Sequence, residues 1–132
     1  MRKVGGILAV NEEGRMSRSI LVADDDAAML NLYKRMFAAK DYVLTRASSF
    51  SEAAGLINSN NYDLLITDLM FPDGIGTELI RLFEKKREGA KCLLVTGSVS
   101  ELDPKLVQEA GCYFEKPFKI QVFMAAVEEA LA

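Results

Sequence analysis

From Ser19 onward, short β-branched or aliphatic runs alternate with stretches whose apolar residues recur at helical spacing. That alternation predicts βα units on a parallel sheet. Strands are predicted over 20–23, 42–46, 63–67, 91–95 and 112–115. Leu64-Leu65-Ile66 and Leu93-Leu94-Val95 are continuous rather than alternating, as befits central parallel strands covered on both faces. Met29, Leu32, Tyr33, Met36 and Phe37 fall on one helical stripe. Further helices are predicted over 51–59, 76–87, 103–110 and 120–130, the last with a stripe of Phe123, Ala126, Val127 and Ala130. Met29, Met36 and Phe37 are assigned to the core, with no ligand role. The order βαβαβαβαβα predicts a three-layer, doubly wound α/β domain, whose right-handed crossovers put the functional crevice at the carboxyl ends of the strands. Residues 1–17 break the pattern and read as an N-terminal extension, whether tether, edge strand or cloning remnant. The folded domain is expected over 18–132.

A chain of 132 residues, 50% hydrophobic, buries roughly two thirds of its unfolded surface and holds a core without staples. Cys92 and Cys112 form no Cys-x-x-Cys pair, and there is no histidine, so no ligand set for structural zinc exists. The missing histidine also excludes Ser-His-Asp and Cys-His triads, a histidine base and a phosphohistidine carrier. Chemistry must run on carboxylate, lysine and hydroxyl groups. A net charge of −3 and a pI near 5.0 have the wrong sign for a nucleic-acid surface. No apolar run approaches the roughly 20 residues a membrane span needs. The short Ile7-Leu8-Ala9-Val10 run ends at Asn11-Glu12-Glu13, which does not suit a secretory signal. A soluble cytoplasmic protein is expected.

Polar residues gather at the predicted strand ends. Asp24, Asp25 and Asp26 follow the first strand, Asp68 the third, Thr96 the fourth and Lys116 the fifth. Each has a plain structural explanation: Asp26 as the cap of the first helix, Asp24, Asp25 and Asp68 as turn residues, Thr96 and Lys116 as ordinary surface groups. Their joint placement on one edge favours a site. Crowded carboxylates are costly without a cation, and hard oxygen ligands suit Mg²⁺. With Mg²⁺ and Lys116 present, the site could accept a phosphoryl group, with Asp68 as a carboxylate nucleophile. Thr96 could donate to one phosphoryl oxygen and Lys116 pair with another.

Over residues 19–131 the chain resembles the receiver domain of two-component response regulators. The resemblance rests on Ile20-Leu21-Val22-Ala23-Asp24-Asp25-Asp26, Thr67-Asp68-Leu69, Pro72, Gly76, Val95-Thr96-Gly97 and Lys116-Pro117-Phe118. It implies a flavodoxin-like sheet of order 2-1-3-4-5, with Asp68 as phosphoacceptor. It further implies direct Mg²⁺ contacts from Asp25, Asp68 and the backbone carbonyl of Met70, and one through water from Asp24. Thr96 resembles the switch hydroxyl, Tyr113 the switch aromatic and Lys116 the phosphate-binding lysine, followed by a cis bond to Pro117. By the same resemblance, Met70 and Ser98 match the positions that flank water's approach to the acyl phosphate. Three features depart from the family pattern: Ile75 stands where an acid is usual, the 111–116 loop is two residues short, and residues 1–17 are extra.

Three other readings compete with this one. A haloacid-dehalogenase-type phosphohydrolase is suggested by Asp24-x-Asp26, but Ala28 stands where its signature has Thr and there is no room for a cap. A dinucleotide site fares worse, because Gly74-x-Gly76 lacks its third glycine. A receiver-shaped module that is never phosphorylated would not need the five chemical residues. The expectation is therefore a non-enzymatic, phosphorylation-controlled receiver, standing alone or within a larger regulator. Its phosphate would come from a sensor histidine kinase or histidine phosphotransfer protein. It would signal to an output domain or downstream protein through the helix over 103–110, the fifth strand and the last helix, with no contact to nucleic acid or membrane.

Overall fold

The computed structural model describes residues 17–97, 104, 105, 108 and 112–132, together with the backbone of Lys3, Val4, Ile7 and Leu8. Five strands form a parallel sheet: β1 Arg18–Ala23, β2 Tyr42–Ala47, β3 Leu64–Thr67, β4 Lys91–Thr96 and β5 Tyr113–Glu115. Their order is β2-β1-β3-β4-β5, the 2-1-3-4-5 arrangement expected. Helices α1 Ala27–Phe37, α2 Phe50–Ser59, α3 Gly76–Lys86 and a C-terminal helix Ile120–Leu131 flank it. Residues 104, 105 and 108 are helical and exposed; the rest of the helix predicted over 103–110 lies outside the described residues. Lys3–Val4 and Ile7–Leu8 pair antiparallel in a two-stranded sheet of their own and are not an edge of the main sheet.

Side-chain alternation along each strand feeds two cores, one per face of the sheet. Leu21, Ala23, Leu65 and Leu94 pack with α2 and α3, through Ala53, Ile57, Leu79, Ile80 and Phe83. Ile20, Val22, Leu64, Ile66, Leu93 and Val95 pack with α1 and the C-terminal helix, through Tyr33, Phe37, Phe123 and Val127. Apolar demand on both faces explains why these strand sequences are continuous.

The helical stripes are rotated slightly from expectation. In α1 the buried residues are Met29, Leu30, Tyr33 and Phe37, whereas Leu32 and Met36 are half-buried at the margin of the same core. In the C-terminal helix they are Phe123, Val127 and Leu131, not Ala126 and Ala130. The larger side chains take the centre of the contact because they have more apolar area to remove from water.

At the opposite edge from the strand-end acids, Asp63 stands just before β3 rather than within it. It is buried, accepts a bond of 2.8 Å from the Ser19 amide and pairs with Arg87 at 3.1 Å. Cys112 also lies just outside its predicted strand. Both cysteines are free, and burial followed by the charge of Glu84 pushes the Cys92 thiol up to about 12. Among the described residues, no helix is long and apolar enough to cross a membrane.

Candidate functional site

The register of β1 with β3 builds the centre of the site. Ala23 pairs with Thr67, so the next residues, Asp24 and Asp68, emerge side by side. Backbone bonding continues one residue past each strand: the Asp24 amide donates to Ala47 O and the Asp68 amide to Ala23 O, both at 3.0 Å. Both carboxylates are thereby carried on fixed backbone. Asp24 is only 1% exposed, and its Oδ1 accepts the Asp26 amide at 2.9 Å. Asp26 caps α1 as expected, accepting the Ala28 amide at 2.9 Å. Asp25 is exposed. One carboxylate oxygen from each of Asp24, Asp25 and Asp68 lies within 4.8 Å of the others.

Lys116 enters from the end of β5, its amide donating to Thr96 O at 2.8 Å, and the bond to Pro117 is cis. Its Nζ lies 2.8 Å from Asp24 Oδ2 and 3.3 Å from Asp68 Oδ2. Thr96 is buried at the end of β4, one strand from Asp68. Tyr113 opens β5 opposite Leu94 and is 44% exposed, outside the acidic cluster. Ser98 lies outside the described residues. Of the seven site positions read from the sequence, the structure brings Asp24, Asp25, Asp68 and Lys116 into one cluster. Thr96 ends the strand beside that of Asp68, Met70 lies exposed in the hairpin two residues after Asp68, and Tyr113 is on the surface.

The loop after Asp68 is tightly fixed. Asp68 Oδ1 accepts the Leu69 amide at 2.7 Å, the Thr67 hydroxyl donates to Asp68 O at 2.8 Å, and the Gly76 amide donates to Leu69 O at 2.6 Å. Between these anchors, Met70–Phe71 pairs antiparallel with Gly74–Ile75. The turn of this hairpin carries Asp73, whose carboxylate accepts the amides of Phe50 and Ser51, both at 3.0 Å. Sequence reasoning missed that link. Asp73 reads locally as a turn residue, and only the unusual Pro72-Asp73-Gly74-Ile75 order hinted at a changed role.

Electrostatics follow from this packing. Burial raises the Asp68 carboxyl above its ordinary value; Lys116 opposes the shift and the Asp24 charge adds to it. Burial acts to lower the Lys116 ammonium, but the hydrogen bond and charge of Asp24, then those of Asp68, outweigh it and the net shift is upward. Beneath them, burial and then the Asp24 and Asp68 charges keep the Tyr33 hydroxyl protonated. Three carboxylates thus face one ammonium that already binds two of them. An all-oxygen set with a charge deficit of this kind fits a hard divalent cation such as Mg²⁺.

Comparison with known proteins agrees with the geometry. The family model for the response regulator receiver domain matches residues 20–128. Regulatory protein VanRB of Enterococcus faecalis is 30% identical over 117 residues, covering 88% of this chain and 53% of that protein. The polar-differentiation response regulator DivK of Brucella ovis is 23% identical over 120 residues and is covered over 98% of its length. This chain therefore spans about half of VanRB and nearly all of DivK. Among solved structures, a CheY-like receiver domain from Methanospirillum hungatei superposes with a TM-score of 0.79 at 30% identity, covering 87% of this chain and 94% of that one. Response regulator TrrA of Thermotoga maritima, solved in complex with Mg²⁺-BeF, gives 0.77 at 30% identity, covering 86% and 99%. With its sheet order, its strand-end acids and this match over most of its length, the chain belongs to the response regulator receiver domain family of two-component signalling.

Proposed function

We propose that Asp68 is the residue that takes up the phosphoryl group. The observation that carries this reading is the position of Asp68 between the carboxylate cluster and Lys116. The phosphoryl donor is a phosphohistidine on a sensor kinase or histidine phosphotransfer protein. An ionised Asp68 oxygen attacks phosphorus, a P–O bond forms as the donor's P–N bond breaks, and the leaving imidazole takes a proton. Asp68 has no proton to lose, so no base is required. Asp25, Asp68 and the Met70 carbonyl would hold Mg²⁺ directly and Asp24 through water; the bound ion supplies positive charge to the phosphoryl oxygens. Lys116 pairs with a second phosphoryl oxygen and Thr96 donates to a third.

The readout is a population shift. Thr96 moves toward the phosphoryl group, Tyr113 turns inward from its exposed position, and the face formed by 103–110, β5 and the C-terminal helix changes for an output domain or downstream protein. On this reading the chain is a magnesium-dependent phosphoprotein of the cytoplasm. It is a signalling protein and not an enzyme with a turned-over substrate, and it contacts neither nucleic acid nor membrane. Residues 18–132 form the receiver and residues 1–17 an extension to it. Asp26, the second acid that the phosphohydrolase alternative would use, accepts the Ala28 amide as the α1 cap.

Incubation with a small acyl phosphate and Mg²⁺ should add one phosphate by intact mass. Equal labelling of Asp68→Ala would falsify the assignment.

A further inference from the structure

The first turn of α2 is capped twice. A helix leaves its first amides without intrahelical partners, and α2 meets part of this need locally. Ser49 Oγ accepts the Glu52 amide at 3.0 Å, and Glu52 Oε1 reaches back to the Ser48 amide at 2.7 Å, a reciprocal arrangement of the capping-box kind. The amides left over are those of Phe50 and Ser51, and both go to one carboxylate, Asp73, at 3.0 Å each. Asp73 comes from the turn of the hairpin between β3 and α3, more than twenty residues along the chain.

The same two segments also interlock by shape. A Cβ on Gly74 would come within 2.3 Å of Cγ in the Phe50 ring, so the ring of the first α2 residue lies directly over the hairpin backbone. Phe71 pairs with Gly74 and Met70 with Ile75. The tie on Gly74 is therefore passed across to Phe71, the residue next to Met70, while Asp73 holds the turn that joins the two strands. At the far end of the hairpin, Asp73 and the Phe50 ring act together with Phe71, whose ring is buried in the core shared with α2 and α3, while the anchors at Asp68, Leu69 and Gly76 lie at the near end.

We infer that Asp73 is a positioning residue for the metal site, clamping the hairpin to the α2 N-terminus so that the backbone carbonyl of Met70 is held ready for Mg²⁺. This rests on the reading of Met70 as a metal contact given above. A backbone ligand cannot be oriented by its own rotamer, so its placement is only as good as the loop that carries it. Partners of this outer kind commonly change metal affinity by 10-fold or more when removed. The clamp also ties metal occupancy to α2, an element that holds no residue of the cluster.

The test is amide chemical-shift titration with Mg²⁺ alone on the full chain, for wild type, Asp73→Ala, Asp73→Asn and Ser49→Ala. Asp73→Ala should weaken Mg²⁺ binding about 10-fold, and Asp73→Asn, which keeps one acceptor, should fall between it and wild type. Ser49→Ala removes an α2 cap without touching the hairpin, so it should lower the melting temperature while leaving Mg²⁺ affinity close to wild type. The inference is overturned if Asp73→Ala binds Mg²⁺ as wild type does, or if Ser49→Ala weakens binding equally. Wild type that binds no Mg²⁺ would instead overturn the metal reading, and this inference with it.

Discussion

Lys116 Nζ lies closer to Asp24, at 2.8 Å, than to Asp68, at 3.3 Å. Asp24 is the acid most withdrawn from solvent, with 1% of its side chain exposed against 14% for Asp68. Without a metal, the ammonium therefore chiefly neutralises the group that water cannot reach. The incoming phosphoryl group and Mg²⁺ supply new partners on both sides of this pair.

Removing Lys116 should leave Asp24 buried and uncompensated. Breaking a buried pair from one side costs about 3–5 kcal/mol, and the partly solvated lysine places the expected loss for Lys116→Ala nearer about 2 kcal/mol. Urea denaturation without divalent ions should show that loss. Mg²⁺ should then stabilise the variant more than wild type, because the ion takes over the missing charge. A variant with an unchanged urea midpoint would mean that Asp24 is satisfied without the lysine.

The two acids of the loop after β3 should respond to pH with opposite signs. Asp68 is raised above its ordinary 3.8, chiefly by burial, so the folded state holds its proton more tightly than the unfolded state, and ionisation costs stability. Asp68→Asn should stabilise the metal-free protein at pH 7 by about 1 kcal/mol. That advantage should shrink as pH falls through the raised folded value. Asp73 is lowered from 3.8, chiefly by the Ser51 amide, with the Phe50 amide also contributing. Its contribution is present above the ordinary value and lost as pH falls through the folded one, so Asp73→Asn should destabilise at pH 7 and cease to matter in acid. Matched urea titrations at several pH values check both signs.

Glycines at two positions give a paired prediction. A Cβ on Gly76 would lie 1.9 Å from the backbone carbonyl oxygen of Asp68, so Gly76→Ala must push the α3 N-terminus away from the acceptor's own peptide. A loss of about 3 kcal/mol and slower labelling of Asp68 are expected, since the obstacle is backbone and has no rotamer to yield. Gly55 sits mid-helix in α2, exposed, with nothing within 4 Å of a Cβ. Gly55→Ala should therefore gain roughly 0.5–1 kcal/mol from helix propensity alone. Thermal melts of the two variants should move in opposite directions.

What the sequence made legible follows from how local each signal is. The convergence of Asp24, Asp68 and Lys116 on one edge was readable because each acid or base directly follows an apolar run, whereas the strand order came with the resemblance to receiver domains and not from any local signal. The α1 stripe is ambiguous in sequence, because both Leu30 and Leu32 fit a helical period and only the facing core, with Phe123 and Val127, selects Leu30. Asp63 with Arg87 and Asp73 with α2 were not readable. Both join residues more than twenty positions apart, through a backbone amide or a guanidinium that leaves no periodic mark. Asp26 shows the reverse: its cap is a contact with a residue two positions on, and the local pattern was enough.

The lifetime of the phosphorylated state depends on water reaching phosphorus in line with the Asp68 oxygen. Met70 stands in the strand pair two residues after Asp68 and is 55% exposed, so its side chain is open to solvent. A thioether is a poor acceptor on a flexible apolar stem. It can shield the approach but not orient water. Ser98, the other position named for this role, is short and uncharged and offers no strong base. Self-dephosphorylation should therefore be slow. Met70→Asn places an amide on the same backbone and should quicken phosphate loss several-fold, equivalent to about 1 kcal/mol in the barrier. Adding Ser98→Glu should quicken it again by a similar factor. Decay would be followed by intact mass after removal of the acyl phosphate, with Mg²⁺ held saturating so that metal affinity does not enter. If wild type and both variants decay at one rate, Met70 faces solvent without guarding the phosphoryl group, and access is controlled by other residues.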